Sequence, residues 1–157
     1  MAKKHSETQY TFKVNLKGSK RMWRTVVLRG DHTLTDLHEI IYEAFDRYDE
    51  HLYSFYFPKA VTSSGRFDFQ PKEYTSPIML KERDPFSPRR PINAATTTLD
   101  SLHLQVGQTF EYLFDFGDNW LHEIKVVSKE PVQDKVKLPM IAERKGDSPP
   151  QYPEPEE

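Results

Sequence analysis

The sequence contains no cysteine among its 157 residues. The chain therefore cannot form disulfides, thiolate metal sites or a cysteine nucleophile. It also has no apolar run long enough to span a bilayer, and its lysine-rich start lacks the apolar segment of a signal peptide. These absences are compatible with a reducing compartment, and we expect a cytoplasmic protein that does not enter the membrane.

No short motif assigns a chemical reaction to the chain. The GxSxG motif of serine hydrolases, the Walker A loop and the glycine-rich dinucleotide-binding motif are all absent from the sequence. We therefore expect no cofactor, and a non-enzymatic role is favoured over catalysis.

Aromatic residues, by contrast, are abundant. They make up 13% of the sequence, and most are phenylalanine or tyrosine, so large rings should dominate the packing of the core. A length of 157 residues suits one domain with one hydrophobic core.

Charge is unevenly distributed along the chain. Residues 1–29 carry eight lysines and arginines against one acid, whereas residues 31–57 carry seven acids against one arginine. Either the two segments coat complementary solvated faces, which is the commoner case, or the basic segment is a patch for a polyanion.

The first third of the chain predicts a hairpin, a helix and a third strand. Alternation over residues 10–16 and a second apolar run over residues 22–28 predict two antiparallel strands. Thr33 and Asp36 form a capping-box pattern, and the apolar stripe that follows predicts a helix ending near residues 45–47. An aromatic strand should then follow up to Phe57.

Proline interrupts the next part of the chain. Residues 58–91 hold six prolines and show no sustained periodicity, which predicts a long insertion over residues 58–97 with at most one short strand near residues 66–69. Residues 98–102 then predict a short helical turn, which precedes a β-hairpin over residues 110–127.

The two ends of the chain differ from its centre. The polar residues 1–8 predict a disordered N-terminus, and the Pro-rich, charged residues 132–157 predict an extension. The predicted domain covers residues 9–131. Its β-β-α-β start and C-terminal hairpin indicate an α+β fold, in which a mostly antiparallel sheet packs on one main helix in a grasp-like arrangement.

The densest group of reactive side chains lies in the predicted C-terminal hairpin. Two aromatic and β-branched runs flank Gly117-Asp118-Asn119, a combination typical of a tight turn. We take the side chains around this turn, together with two histidines from elsewhere, as the candidate binding surface: Asp115, Gly117, Asp118, Trp120, His122, His38 and His51.

The relation between Asp115 and His122 depends on the length of the turn. A two-residue loop would place the carboxylate directly opposite the imidazole, where it could fix the tautomer or raise the pKa of His122. A three-residue loop would shift the pairing by one residue and separate the two. In the simpler interpretation, which is the commoner case, Trp120 anchors the core and His122 is an ordinary polar strand residue.

Asp115, Asp118 and His122 also offer oxygen and nitrogen ligands of the kind that bind divalent metals. The turn separates Asp118 from the other two, and neither His38 nor His51 adds a recognised ligand spacing. We therefore predict no metal site and keep a metal-dependent hydrolase as a third hypothesis.

The first hairpin offers a different surface, for nucleic acid. Its cations could contact phosphates while its indole stacks on a base. The residues concerned are Lys20, Arg21, Trp23, Arg24 and Arg29. Against this hypothesis, the net charge is −2 and no groove-reading motif occurs.

Four segments in sequence order resemble the plasmid pRiA open-reading-frame-three-like family: MWRTVV at residues 22–27, TLTDLHEII at 33–41, HLYSF at 51–55 and YLFDFGDNWLHEI at 112–124. The block Asp-Phe-Gly-Asp-x-Trp-x-His is the most specific of these. The resemblance covers about residues 10–127 and implies a compact α+β domain, often encoded on plasmids or near mobile elements. The family has no established reaction, so the resemblance informs the fold and leaves the function open.

The chain departs from the family pattern in two places. Arg47-Tyr48 stands where members usually have Gly-Trp. Residues 148–157 stand where members commonly continue through a Gly-Gly turn into a helix, so activities that rely on that later part are not expected here.

These observations favour a non-enzymatic binding or adaptor module from a mobile-element-associated family. A protein partner is favoured over nucleic acid. The alternatives are a nucleic-acid-binding accessory factor that uses the first hairpin, and the metal-dependent hydrolase.

Overall fold

The computed structural model describes residues 7–19, 21–58, 72–82, 84–86, 90–114, 120–133 and 136–147. Eight strands, two helices and two 3-10 turns follow one another along them: β1 (Thr8–Leu16), β2 (Trp23–Arg29), α1 (Leu34–Ala44), β3 (Tyr53–Phe57), β4 (Lys72–Thr75), α2 (Pro77–Glu82), β5 (Ile92–Asn93), the 3-10 turns Ala94–Thr96 and Asp100–Leu102, β6 (Thr109–Phe114), β7 (Trp120–Pro131) and β8 (Met140–Lys145).

All eight strands belong to one mixed sheet, in the order β5-β4-β3-β6-β7-β1-β2-β8. The β4–β5 pair is parallel, and the other neighbours run antiparallel. The predicted first hairpin is confirmed, with Phe12 opposite Val26. The long strand β7 pairs with β1 on one side and β6 on the other, and so joins the two halves of the sheet.

The predicted α+β class with its grasp-like arrangement is wrong, because strands dominate the fold and only one main helix accompanies them. Three strands come from segments without apolar alternation: β4 and β5 from the Pro-rich insertion, and β8 from the C-terminal extension. They lie toward the two edges of the sheet, where main-chain hydrogen bonds can hold a strand that has little apolar surface. The strand predicted near residues 66–69 lies outside the described residues.

The prediction for the main helix is confirmed. Thr33 N–H donates to Asp36 Oδ2 at 2.8 Å, and Asp36 N–H donates to Thr33 Oγ1 at 3.2 Å, which completes the capping box. The helix ends at Ala44, with Phe45 as its C-cap. In the described part of the chain, no helix has both the length and the apolar character needed to cross a membrane.

Aromatic rings fill the space between α1 and the sheet, as the composition predicts. The largest of them are fully buried: Tyr10, Phe12, Phe45, Phe55, Phe110, Tyr112 and Phe114. Along β1 and β7 the buried positions alternate with polar ones such as Lys13 and Lys125, so one face of the sheet carries the core. The short helical turn predicted at residues 98–102 is confirmed by the second 3-10 turn.

Gly30, which follows β2, is closely covered by that second 3-10 turn. A Cβ at this position would overlap the carboxylate of Asp100, which accepts a hydrogen bond from the Tyr10 hydroxyl at 3.0 Å. We expect Gly30→Ala to lower the free energy of unfolding by about 1–2 kcal/mol, because the Asp100 carboxylate must rotate away and this hydrogen bond is lost. Urea denaturation measures the loss.

A double-mutant cycle with Asp100→Ala isolates the cause of this loss. Removing the carboxylate makes room for the new methyl group. Gly30→Ala should therefore lower the free energy of unfolding clearly less in the Asp100→Ala background than in the wild type. The same cost in both backgrounds would contradict the steric explanation.

Candidate functional site

A cleft of about 460 Å³ opens where α1 meets the start of β3 and the start of α2. Its polar residues come mainly from α1 and from the loop before β3: Thr35, His38, Glu39, Glu50 and His51. Leu52, Pro77 and Ile78 supply apolar surface, and Tyr53 and Ser76 complete the lining. A concave site that mixes apolar walls with a few polar groups is typical of ligand-binding sites.

His38 is held firmly at this cleft. The capping box starts α1 at Leu34, so His38 falls one turn later on the buried side of the helix, where it is only 2% exposed. Its Nδ1 lies 2.5 Å from the Tyr112 hydroxyl. Its ring stacks on Tyr53, with 3.7 Å between the ring centroids. These two contacts fix both the position and the orientation of the imidazole.

The same contacts determine the tautomer of His38. The Tyr112 hydroxyl is buried, and the acceptor it meets among the described residues is His38 Nδ1, so the hydroxyl donates and the ring proton stays on Nε2. Nε2 lies 3.7 Å from Glu50 Oε2. Burial lowers the pKa of His38 to about 3, so the imidazole is uncharged at neutral pH and offers an N–H donor toward Glu50.

Three hydroxyl groups belong to residues that line the cleft. The Tyr53 hydroxyl and Thr35 Oγ1 are 2.7 Å apart and hydrogen-bonded. The Ser76 hydroxyl is buried and has no hydrogen-bond partner within the described residues. A buried hydroxyl without a partner costs about 1–3 kcal/mol, so its hydrogen-bonding capacity is unused in the free protein.

The cleft is also acidic. Partial burial, followed by repulsion from Asp36 and Glu50, raises the pKa of the Glu39 carboxyl. Within the described ranges, no lysine or arginine forms an ion pair with Glu39 or Glu50. The described residues therefore give the cleft a negative potential.

His122 belongs to the core and does not line the cleft. Its Nδ1–H donates to the Tyr112 carbonyl at 3.3 Å, which leaves Nε2 to accept from Arg47 Nη2 at 3.3 Å. Burial, and then the Arg47 charge, lower the pKa of His122 to about 3, so this imidazole is also uncharged at neutral pH. Both ring nitrogens are therefore engaged within the core, and the ring does not line the cleft.

The strand register rules out the proposed pairing of Asp115 with His122. The residue opposite His122 is Tyr112, and the last described pair is Phe114 with Trp120. Of the two arrangements that the sequence left open, the one that places Asp115 opposite His122 is therefore excluded.

Trp120 packs against the buried guanidinium of Arg47, which lies 4.6 Å from its ring centroid. The same guanidinium lies 5.3 Å from the Phe114 ring and 5.7 Å from the Phe45 ring. Arg47 thus lies in the interior among aromatic rings. Trp120 contributes to this packing, whether or not it also contacts a ligand at the predicted binding surface.

The structure brings together only part of the predicted binding surface. His38 and His51 line the same cleft, and the His51 ring meets Phe114 edge-on at 5.7 Å between centroids. Trp120 and His122 pack around Arg47. Three residues of the predicted surface lie outside the described part of the chain: Asp115, Gly117 and Asp118.

Metal binding and nucleic-acid binding find limited support in the geometry. Over the residues that the structure describes, no group of three or more histidines and acids could hold a metal ion.

Most of the first-hairpin residues predicted to contact nucleic acid are already engaged within the protein. Arg24 is 2% exposed, and Arg29 donates to Asp31 at 2.6 Å. Lys13 covers the Trp23 ring at 4.4 Å.

Of the remaining first-hairpin residues, Arg21 is exposed and Lys20 lies outside the described residues. An exposed arginine on its own makes a weak footprint for a polyanion.

Several residues of the cleft were not predicted as site residues. The acidic run over residues 31–57 contains Glu39 and Glu50 and was the available signal for them. Ser76 and Tyr53 carried no such signal, since they reach the cleft only through the pairing of β3 with β4.

Fold and site together define a sheet-dominated protein with one main helix and an acidic cleft beside that helix. The sequence profile of the plasmid pRiA4b ORF-3-like protein family matches residues 8–152, and the chain belongs to this family. The resemblance noted in the sequence is therefore confirmed.

The chain is also similar to a protein of known sequence and to a solved structure. The uncharacterized protein y4hQ of Sinorhizobium fredii (strain NBRC 101917 / NGR234) is 30% identical over 129 residues, which are 82% of this chain and 57% of that protein. The chain thus spans little more than half of that relative's length.

The crystal structure of the protein of unknown function MM3350 from Methanosarcina mazei Go1 superimposes with a TM-score of 0.72. The two chains are 24% identical, and the match covers 93% of this chain and 74% of that one. This similarity establishes a shared fold.

Proposed function

We propose that this protein is a non-enzymatic binding module that takes a segment of a partner protein in the cleft between α1, β3 and α2. The observation that carries the proposal is the fixed orientation of His38, whose N–H donor is held at the cleft by the Tyr112 hydroxyl and the Tyr53 ring. Groups that are ordered before a ligand arrives lose little conformational entropy on binding.

The composition of the lining supports a protein partner. Ile78 stands at the cleft with 58% of its surface exposed, next to Leu52 and Pro77. Apolar surface beside a polar rim is the usual arrangement of a protein–protein contact. The acidic groups Glu39 and Glu50 would repel the phosphates of a nucleic acid.

The protonation state of His38 favours binding over acid–base catalysis. A general base works best when its pKa lies near the operating pH. With a pKa of about 3, the imidazole of His38 holds a proton far too weakly for this task at neutral pH. The cytoplasmic location and the division into a domain over residues 9–131 and an extension over residues 132–157 stay predictions.

Photo-crosslinking inside cells of the source organism tests the proposal. We expect p-benzoylphenylalanine in place of Ile78 to give a discrete protein adduct, because this position borders the cleft. The matched control places the same residue at Val106, which is 61% exposed and does not line the cleft.

The adduct should disappear when the variant also carries His38→Phe and Tyr112→Phe, which remove the fixed donor but keep the ring volumes. Identical adducts from positions 78 and 106, or an adduct at position 78 that survives the double change, would defeat the proposed site.

A further inference from the structure

We infer that the cleft selects a lysine or arginine side chain of the partner protein, an inference that rests on the binding role proposed above. The juxtaposition that carries it is that of two carboxylates, a neutral imidazole donor and a buried hydroxyl, all lining one cavity beside apolar residues. Neither carboxylate is ion-paired with a lysine or arginine that the structure describes.

The charge of the cleft comes from two separate segments. Glu39 lies on α1, whereas Glu50 lies in the loop before β3. Repulsion from Asp36 and Glu50 helps to raise the pKa of Glu39, and charge on Glu39, Glu50 and Asp36 helps to raise that of Tyr53. The charges of these groups therefore interact across the cleft, and a bound cation would reduce the repulsion between them.

The two acidic side chains of the cleft are not neutralised by the residues that the structure describes. Among those residues, neither Glu39 nor Glu50 is ion-paired with lysine or arginine, and His38 Nε2 lies 3.7 Å from Glu50 Oε2. Because burial keeps His38 uncharged at neutral pH, it does not neutralise the carboxylate, and a separation of 3.7 Å is too long for a hydrogen bond between them. A basic side chain of a ligand would therefore be attracted by both carboxylates.

Ser76 gives an independent reason to expect a polar ligand. Its side chain lines the cleft and is only 4% exposed, and its hydroxyl finds no hydrogen-bond partner among the described residues. A hydroxyl oxygen can accept from an ammonium or a guanidinium, both of which carry several donors and no acceptor. An anionic ligand would meet the two carboxylates instead.

The remaining lining fits the rest of a basic side chain in a peptide. Leu52, Pro77 and Ile78 offer apolar surface for the methylene groups of lysine or arginine, which are commonly buried while the charged end stays among polar groups. The Nε2–H of His38 can donate to a main-chain carbonyl of the same segment, which gives a reason for a peptide rather than a free amine.

Titration of the ¹⁵N-labelled protein with four blocked tripeptides tests the inference by NMR. The peptides are Ac-Leu-X-Leu-NH₂ with X as lysine, arginine, norleucine or glutamate. We expect the lysine and arginine peptides to shift the amide signals of residues at the cleft and to bind at least about tenfold more tightly than norleucine. The glutamate peptide should cause no shift.

Two variants identify the groups responsible. Glu39→Gln combined with Glu50→Gln should lower the affinity for the lysine peptide by about tenfold and leave the affinity for the norleucine peptide unchanged. The matched control is Glu43→Gln, an exposed acid on the same helix outside the cleft, which should change nothing. Cadaverine, a free amine with a similar stem, should bind more weakly than the lysine peptide.

The possible failures are distinguishable. Selection for a cation would be overturned by equal affinity for the norleucine and lysine peptides, or by the absence of shifts with all four peptides. The crosslink at position 78 tests the proposed binding role separately. Cadaverine binding as tightly as the peptide would overturn the assignment to a protein partner.

Discussion

We expect Arg24→Met to lower the free energy of unfolding by about 3–5 kcal/mol. Arg24 is 2% exposed, and its Nε donates to the carbonyl of Ala44 at 2.8 Å. Its Nη1 donates to the carbonyls of Trp23 and Lys145, each at 2.9 Å. One guanidinium therefore links the end of α1, strand β2 and the edge strand β8, and its loss leaves main-chain carbonyls without these donors.

Arg21→Met is the matched control, since it removes the same charge from an exposed position in the same hairpin. We expect it to change the free energy of unfolding by less than about 0.5 kcal/mol. Urea denaturation of both variants at neutral pH makes the comparison. Losses of equal size would show that Arg24 does not hold the three elements together.

The pair of variants also bears on the nucleic-acid hypothesis. A protein that contacts phosphates through the first hairpin should lose affinity with Arg21→Met while its stability is unchanged. Loss of binding in Arg24→Met would instead follow from damage to the fold. If Arg21→Met retains full affinity at low salt, Arg21 makes no phosphate contact.

A steep loss of stability in mild acid is the second large effect that we expect. The pKa values of His38 and His122 are both lowered to about 3 by burial, whereas a histidine in the unfolded chain titrates near 6.5. Between these values the unfolded chain binds more protons, so stability is complete above about pH 6.5 and is lost as the pH falls toward 3. Each histidine accounts for about 4–5 kcal/mol over this range.

The double variant His38→Phe/Tyr112→Phe measures the share of one histidine. It removes a titrating group together with its hydrogen-bond partner, so its stability at pH 7 should stay close to that of the wild type. Between pH 5.5 and 4, the free energy of unfolding should fall less steeply, by about 1.4 kcal/mol per pH unit. Urea titrations at several pH values test this. A slope equal to that of the wild type would mean that His38 is not kept neutral by the fold.

The sequence was informative wherever structure depends on near neighbours. The Thr33–Asp36 capping box, the apolar stripe of α1 and the alternation of β1 all follow from contacts within a few residues, and all three are confirmed. The strands β4, β5 and β8, which lie at or next to the edges of the sheet, were missed for the opposite reason. Their main-chain pairing depends on distant partners and leaves little trace in side-chain pattern.

The candidate site divides in the same way. His38 and His51 were chosen from the sequence as potentially reactive residues, and both line the cleft. His122 was chosen for the same reason but lies in the core. Period-two alternation assigns residues to opposite faces of a strand, and it does not identify which face the helix covers.

By itself, the sequence determined the main helix, the first hairpin, the aromatic character of the core and membership of the family. Only the tertiary structure decided that the fold is dominated by a single mixed sheet, that Tyr112 opposes His122, and that Glu39, Glu50 and Ser76 meet at one cleft. The physical reason is the separation along the chain between the residues that determine each feature. Caps and amphipathic stripes are encoded over a single turn, whereas strand register and the convergence of polar groups depend on contacts between residues far apart in the chain.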